Sequence, residues 1–139
     1  MKTSKQVSKF IFYLDDDLDD LIFFQSIAEN MNHRVATFTD GYDMLQSLAL
    51  HWKDVDIIFL DIHMPILNGE EILNLIRKSE NYNNIPIVMI SGAYPQKLAR
   101  HFLRVGANFL MKKTGVTDLR AALGEVLAID FKTFHAFPF

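Results

Sequence analysis

Apolar residues fall in four short runs and one alternating stretch, separated by segments in which they recur every three or four positions. Phe10-Ile11-Phe12-Tyr13-Leu14 and Ile57-Ile58-Phe59-Leu60 are continuous apolar stretches, as are Ile85-Pro86-Ile87-Val88-Met89-Ile90 and the short Phe109-Leu110-Met111. Such runs suit strands covered on both faces of a parallel sheet. Arg34-Val35-Ala36-Thr37-Phe38 alternates instead, as an edge strand does.

Between the runs the period changes to that of helices. The first helix runs to about Asn30, with Phe23, Phe24, Ile27, Ala28 and Met31 inward, Ile22 outward, and Asp17 or Asp19 as cap. A short helix to about Leu50 turns Tyr42, Leu45 and Leu48 or Ala49 inward. The third, from Glu70 to about Ser79, buries Ile72, Leu73 and Ile76. The fourth begins at Pro95 and stops at Gly106. Thr117 caps the last, whose apolar set is Leu119, Ala122, Leu123, Val126 and Leu127. Strands alternating with helices predict an α/β domain with a doubly wound parallel sheet. At this size the flavodoxin-like (βα)5 strand order 2-1-3-4-5 is expected.

Length and composition narrow the options. The 139 residues suffice for one domain, with its core at about 10–129 between a polar lead and an aromatic tail. A formal net charge of −3 argues against a nucleic-acid surface, which needs a basic stripe. The absence of cysteine excludes disulfides, thiolate metal sites and thiol catalysis. No signal peptide or membrane span is apparent, so a cytoplasmic location is expected.

The chemistry lies where the strands end. Ligands of doubly wound sheets bind beyond the carboxyl ends of the strands. There the chain places Asp15 and Asp16, Asp61, Ser91, and Lys113, while the edge strand ends without such a group. An aspartate directly after a buried run cannot stay in the core unpaired, so Asp61 belongs at the mouth of the crevice. Clustered carboxylates repel one another unless a cation sits among them, and oxygen ligands without His or Cys favour Mg²⁺. A hydroxyl and an ammonium opposite that cation suit a phosphoryl group. The five histidines lack metal-ligand spacing and read as surface or loop residues; Trp52 and the tail phenylalanines read as packing.

Leu14-Asp15-Asp16-Asp17, Leu60-Asp61-Ile62-His63-Met64-Pro65 with Asn68-Gly69, Ser91-Gly92, and Gly106-Ala107-Asn108 leading to Lys113 together resemble a response regulator receiver domain of two-component signalling. The resemblance covers about residues 10–129. It implies that Asp61 is the phosphoacceptor, taking a phosphoryl group from a histidine kinase or phosphotransfer protein. Asp16 and Asp61 would ligate Mg²⁺ directly, His63 through its backbone carbonyl, and Asp15 through water. Ser91 and Lys113 would bind phosphoryl oxygens, and Gly92 would leave access. The module would catalyse only its own phosphorylation and dephosphorylation.

The chain departs from the family at three places. Ser91 stands for the usual Thr and keeps the hydroxyl. Leu110 stands where an aromatic switch residue is common. Thr114 replaces a proline, so a trans peptide is expected there, a cis bond before Thr costing about 2.5–4 kcal/mol. Lys112 and Lys113 point to opposite faces, and spacing favours Lys113. The chain ends soon after the fifth helix, which reads as a stand-alone receiver whose output is a protein contact. Gln96, Lys97, Arg100 and Arg104 would lie on the helix 4–strand 5–helix 5 face, a possible homodimer surface, and Ile22 would help dock the kinase. The alternatives are an Mg²⁺-dependent aspartyl-phosphate phosphatase, a flavin-binding flavodoxin and a phosphorylation-independent adaptor. The first wants a carboxylate where His63 stands. The second wants a Ser/Thr-rich loop where Asp15-Asp16-Asp17 stands. The third tends to lose the acidic pair or the lysine, both present here.

Overall fold

The structure, a computed structural model, describes residues 7–62, 68–92, 96–113 and 116–132, and within these the side chains of all but 96–98 and 116–117. His63, Pro65, Pro95, Thr114 and the tail from 133 therefore lie outside the described residues. Five strands, β1 (Phe10–Leu14), β2 (Arg34–Phe38), β3 (Ile57–Asp61), β4 (Ile87–Ser91) and β5 (Phe109–Lys112), pair in parallel in the order β2-β1-β3-β4-β5. They alternate with α1 (Leu18–Asn30), α2 (Gly41–His51), α3 (Gly69–Arg77), α4 (Gln96–Arg104) and α5 (Val116–Leu127). This is the doubly wound flavodoxin-like arrangement that the alternation of apolar runs predicts.

Strand alternation divides the core into two layers. Phe12, Leu14, Ile58, Leu60, Ile87, Met89 and Leu110 face α2, α3 and α4, where Met44, Leu48, Ile72, Leu73, Ile76, Ala99 and Phe102 meet them. Ile11, Tyr13, Ile57, Phe59, Val88, Ile90 and Met111 face Leu21, Phe24 and Ala28 of α1 and Leu119, Leu123, Val126 and Leu127 of α5. Side chains two residues apart share a layer, so Asp15, Asp61 and Lys113 continue the rows of Tyr13, Phe59 and Met111 toward α1.

Several local expectations need correction. Tyr42, expected inward, is exposed, and Met44 takes the core position. Helix α2 starts at Gly41, capped by the Asp40 side chain at Tyr42 N, and this phase turns 44 and 48 to the sheet. Leu21 is buried beside Phe24 and Ala28 in α1, whereas Phe23, Ile27 and Met31 pack only partly. His33, read as a surface residue, is 4% exposed, with Nδ1 accepting the Lys9 backbone N–H at 3.0 Å. Thr117 lies inside α5 rather than capping it. The edge strand β2 shows no clean alternation: Arg34 is exposed and the other four residues are half-buried. Asn68-Gly69 forms the start of α3, one residue before the expected Glu70: Asn68 Oδ1 accepts from Glu71 N and Glu71 Oε1 from Asn68 N, each at 2.9 Å.

Candidate functional site

Four strand ends meet on one rim. Asp15 directly follows β1, Asp61 is the last residue of β3, Ser91 is the last of β4, and Lys113 directly follows β5. Asp15, Asp61 and Ser91 are buried, whereas Asp16 is exposed. A buried carboxylate needs compensation, and Asp15 has it on both oxygens. Its Oδ1 accepts the Asp17 N–H at 3.0 Å, and its Oδ2 accepts the Tyr13 hydroxyl at 2.5 Å and lies 3.0 Å from Lys113 Nζ. The Asp15 backbone N–H in turn donates to the Phe38 carbonyl, fixing the residue at the junction of β1 and β2.

Carboxylate oxygens of Asp15, Asp16 and Asp61 all lie within 4.8 Å of one another. This donor set is all oxygen, part buried and part open to solvent, which fits a hard divalent cation that keeps some of its waters. The structure thus brings together three of the metal-ligating residues named from the sequence. His63, the fourth, lies outside the described residues.

The lysine enters from the other side. Its backbone N–H donates to the Ser91 carbonyl at 2.7 Å, carrying the β4–β5 pairing one residue past the strand. Its Nζ lies 3.0 Å from Asp15 Oδ2, 2.9 Å from Asp20 Oδ2 and 3.6 Å from Asp61 Oδ2. Lys112 is exposed and pairs in register with Ser91. Burial pulls the Lys113 ammonium down. Hydrogen bonds to Asp20 and Asp15 and the charges of Asp15 and Asp61 outweigh it, so its pKa rises above the ordinary lysine value. Burial raises the Tyr13 hydroxyl well above the usual tyrosine range, and the bond to Asp15 adds to the effect.

Two glycines border the site in different ways. A Cβ on Gly69 would lie 2.3 Å from the Asp61 carbonyl oxygen, so α3 seats its first turn directly on the end of β3. A Cβ on Gly92 would meet nothing within 4 Å among the described residues. Leu110 is 8% exposed and packs with Ala99 and Phe102 of α4.

Tyr13 and Asp20 are the site residues that the sequence reading passed over. Both carried a signal. Tyr13 is two residues before Asp15 and shares its face, and a hydroxyl in a buried strand needs a polar partner. Asp20 sits in the first turn of α1, the helix that covers the face toward which Lys113 points.

Comparison with known proteins agrees with this arrangement. The family model described as the response regulator receiver domain matches residues 11–124. The two-component response regulator ORR3 of Oryza sativa subsp. indica is 26% identical over 127 residues, covering 91% of this chain and 96% of the relative. The tetrathionate response regulatory protein TtrR of Salmonella typhimurium is 28% identical over 121 residues, covering 86% of this chain and 57% of the relative. The solved structure of the chemotaxis protein CheY4 of Vibrio cholerae matches with a TM-score of 0.77 over 86% of this chain and 99% of that chain, at 21% identity, a likeness of fold.

Proposed function

The chain belongs to the response regulator receiver domain family, and on that premise we propose that Asp61 accepts a phosphoryl group from the phosphohistidine of a histidine kinase or phosphotransfer protein. The observation that carries this reading is the position of the Asp61 carboxylate, buried at a strand end between the Asp15–Asp16 pair and the Lys113 ammonium. An Asp61 oxygen attacks phosphorus and forms the P–O bond of an acyl phosphate. The P–N bond to the donor imidazole breaks with its electron pair staying on that nitrogen, and the donor, protonated on its other ring nitrogen, leaves as neutral imidazole.

Asp16, Asp61 and the His63 carbonyl would hold Mg²⁺ directly and Asp15 through water. When bound, the ion supplies positive charge that offsets the phosphoryl oxygens and the carboxylates around them. Lys113 donates an N–H to a phosphoryl oxygen on the opposite side, and Ser91 donates its hydroxyl to another. Without such offsets the dianionic donor and the Asp61 carboxylate repel each other. The chain in this account promotes its own phosphorylation and dephosphorylation and turns over no separate substrate.

Phosphorylation would shift a pre-existing equilibrium of the surface formed by α4, β5 and α5, drawing Ser91 toward the phosphoryl group. Arg100 and Arg104 are exposed on α4 and would read out that change to a protein partner or a second copy. Gln96 and Lys97 share the helix, although their side chains lie outside the described set. Leu110, buried against α4, would act through packing rather than by an aromatic ring swinging between two positions. Ile22, 65% exposed on α1 beside the rim, would contact the phosphoryl donor. Among the described residues no helix is long and apolar enough to cross a membrane, and the signalling role implies a cytoplasmic location.

Intact mass after incubation with acetyl phosphate, with and without Mg²⁺, tests the reading. A labile gain of one phosphoryl group that requires Mg²⁺ is expected; no gain in the presence of bound Mg²⁺ contradicts it. Charge reversal at Arg100 and Arg104 should weaken partner affinity, and Ile22→Asp should slow phosphotransfer from the kinase but not from acetyl phosphate. Unchanged values discard those two surfaces.

A further inference from the structure

The Lys113 ammonium carries three N–H donors, and the carboxylates around it are not equivalent. Asp15 and Asp61 both belong to the cluster whose oxygens converge within 4.8 Å. Asp20 does not. Its Oδ2 is 2.9 Å from Lys113 Nζ, the shortest of the three approaches, against 3.0 Å for Asp15 and 3.6 Å for Asp61. Asp15 is also the more heavily used, since the same Oδ2 takes the Tyr13 hydroxyl.

Asp20 is itself held in place. The Asp17 side chain caps α1 by accepting the Asp20 N–H at 3.1 Å, which sets the first turn of the helix. Behind the ion pair, Phe23, Phe24, Ile90, Met111 and Leu119 line one cleft with Tyr13, Asp20 and Lys113. The lysine stem has apolar wall beside it, and its charged end needs an anchor at the rim. A lysine without one keeps its rotamer freedom and swings out into solvent.

Resting on the phosphoacceptor reading, we propose that Asp20 is a positioning residue that holds Lys113 in the cleft when a divalent cation engages Asp15 and Asp61. Two donors of the ammonium serve Asp20 and Asp15, and the third is left on the side of Asp61, where the phosphoryl oxygens form. Asp20 touches neither the phosphorus nor the cation; it acts through the lysine. Its function is a hydrogen-bond acceptor at a fixed place, so an amide at the same position retains part of it and a methyl group retains none.

Two readouts test this on the full chain, comparing wild type with Asp20→Asn and Asp20→Ala in saturating Mg²⁺. The first is the rate at which acetic anhydride acetylates Lys113, followed by peptide mass. Loss of a partly exposed charged hydrogen bond corresponds to roughly three- to tenfold, so Asp20→Ala should label about that much faster, with Asp20→Asn between it and wild type. The second is the rate of phosphorylation by acetyl phosphate, which should fall by a similar factor in Asp20→Ala and partly recover in Asp20→Asn. Mg²⁺ affinity by calorimetry should stay within about twofold in both variants, because Asp20 lies outside the cation cluster.

Unchanged Lys113 labelling in Asp20→Ala overturns the proposal whatever the phosphorylation result. Faster phosphorylation in both variants also overturns it, because Asp20 would then be competing for the lysine rather than aiming it. Faster labelling in a protein whose wild type takes no phosphoryl group keeps the anchoring role of Asp20 and removes the phosphoacceptor reading instead.

Discussion

Gly69 stands so close to Asp61 that the two backbones leave no room for a side chain between them. A Cβ at 69 would sit 2.3 Å from the Asp61 carbonyl oxygen and 3.1 Å from the Ile62 Cα. Backbone atoms cannot rotate away as a side chain does, so the end of β3 or the first turn of α3 must shift. Gly69→Ala should therefore cost about 1–3 kcal/mol, the usual range for overpacking, and lower the rate of phosphorylation at Asp61. Gly124 gives the contrast, because a Cβ there would make only an ordinary 3.5 Å contact with Met31 Cε. Gly124→Ala in the interior of α5 should stabilise by up to about 1 kcal/mol. Urea denaturation of both variants checks the pair of signs.

Arg77 closes α3 by donating to four acceptors that include no carboxylate. Its Nε reaches the Gly106 carbonyl at 2.9 Å, and its guanidinium nitrogens reach the Tyr82 and Ile85 carbonyls and Asn108 Oδ1 at 2.8–3.0 Å. Asn108 passes the link on, accepting the Ile87 N–H at 2.8 Å. One side chain thus ties α3 to the start of β4 and the loop before β5, below the site. Burial holds the guanidinium below its ordinary pKa, yet it remains the natural donor for four oxygens in a fork geometry. Arg77→Met should cost about 2–4 kcal/mol, since it strands several half-buried acceptors, and Arg77→Lys should recover only part. Urea midpoints with unchanged slopes measure this.

Tyr13 makes stability fall in alkali. Its hydroxyl is pushed well above the usual range by burial and by its bond to Asp15, whereas in the unfolded chain it ionises near the ordinary value of about 10. The unfolded state therefore loses this proton first as pH rises, and the contribution is full below about pH 10 and lost above it. Tyr13→Phe should flatten that alkaline decline. Absorbance titration should show the wild type with one fewer tyrosine ionising below pH 11 than after unfolding.

His33 acts at the opposite end of the scale. Burial, then the charge of Lys9, holds its pKa below the ordinary value, and its Nε2 is buried without a partner among the described residues. The unfolded state takes up a proton near pH about 6.5, before the folded state does. Stability from this group is thus present above that pH and declines as pH falls through the folded value. The difference in unfolding free energy between wild type and His33→Gln, measured at pH 7.5 and 5.5, should shift against the wild type in acid.

The sheet was legible because its strands are buried on both faces, so continuous apolar runs marked four of the five and their polar ends marked the rim. Asp15, Asp16, Asp61, Ser91 and Lys113 could be named because each follows such a run. Helix phase was harder to read. Tyr42 and Met44 differ by two positions, and only the start of α2 at Gly41 decides which meets the sheet. His33 looked like a loop residue because its burial comes from the N-terminal segment, through the Lys9 backbone, and no local pattern records a contact 24 residues away. Asp20 was hidden in an acidic run whose default is solvation; its role depends on Lys113, 93 positions further on.

Trapping the acyl phosphate identifies the carboxylate that takes the phosphoryl group. After reaction with acetyl phosphate and Mg²⁺, borohydride reduces an aspartyl phosphate to homoserine, releasing phosphate and leaving a permanent mark on the peptide. Homoserine at position 61, absent without Mg²⁺ and absent in Asp61→Asn, is the predicted result. Homoserine at Asp15, Asp16 or Asp20 instead, or none anywhere in protein shown to bind Mg²⁺, would contradict the account.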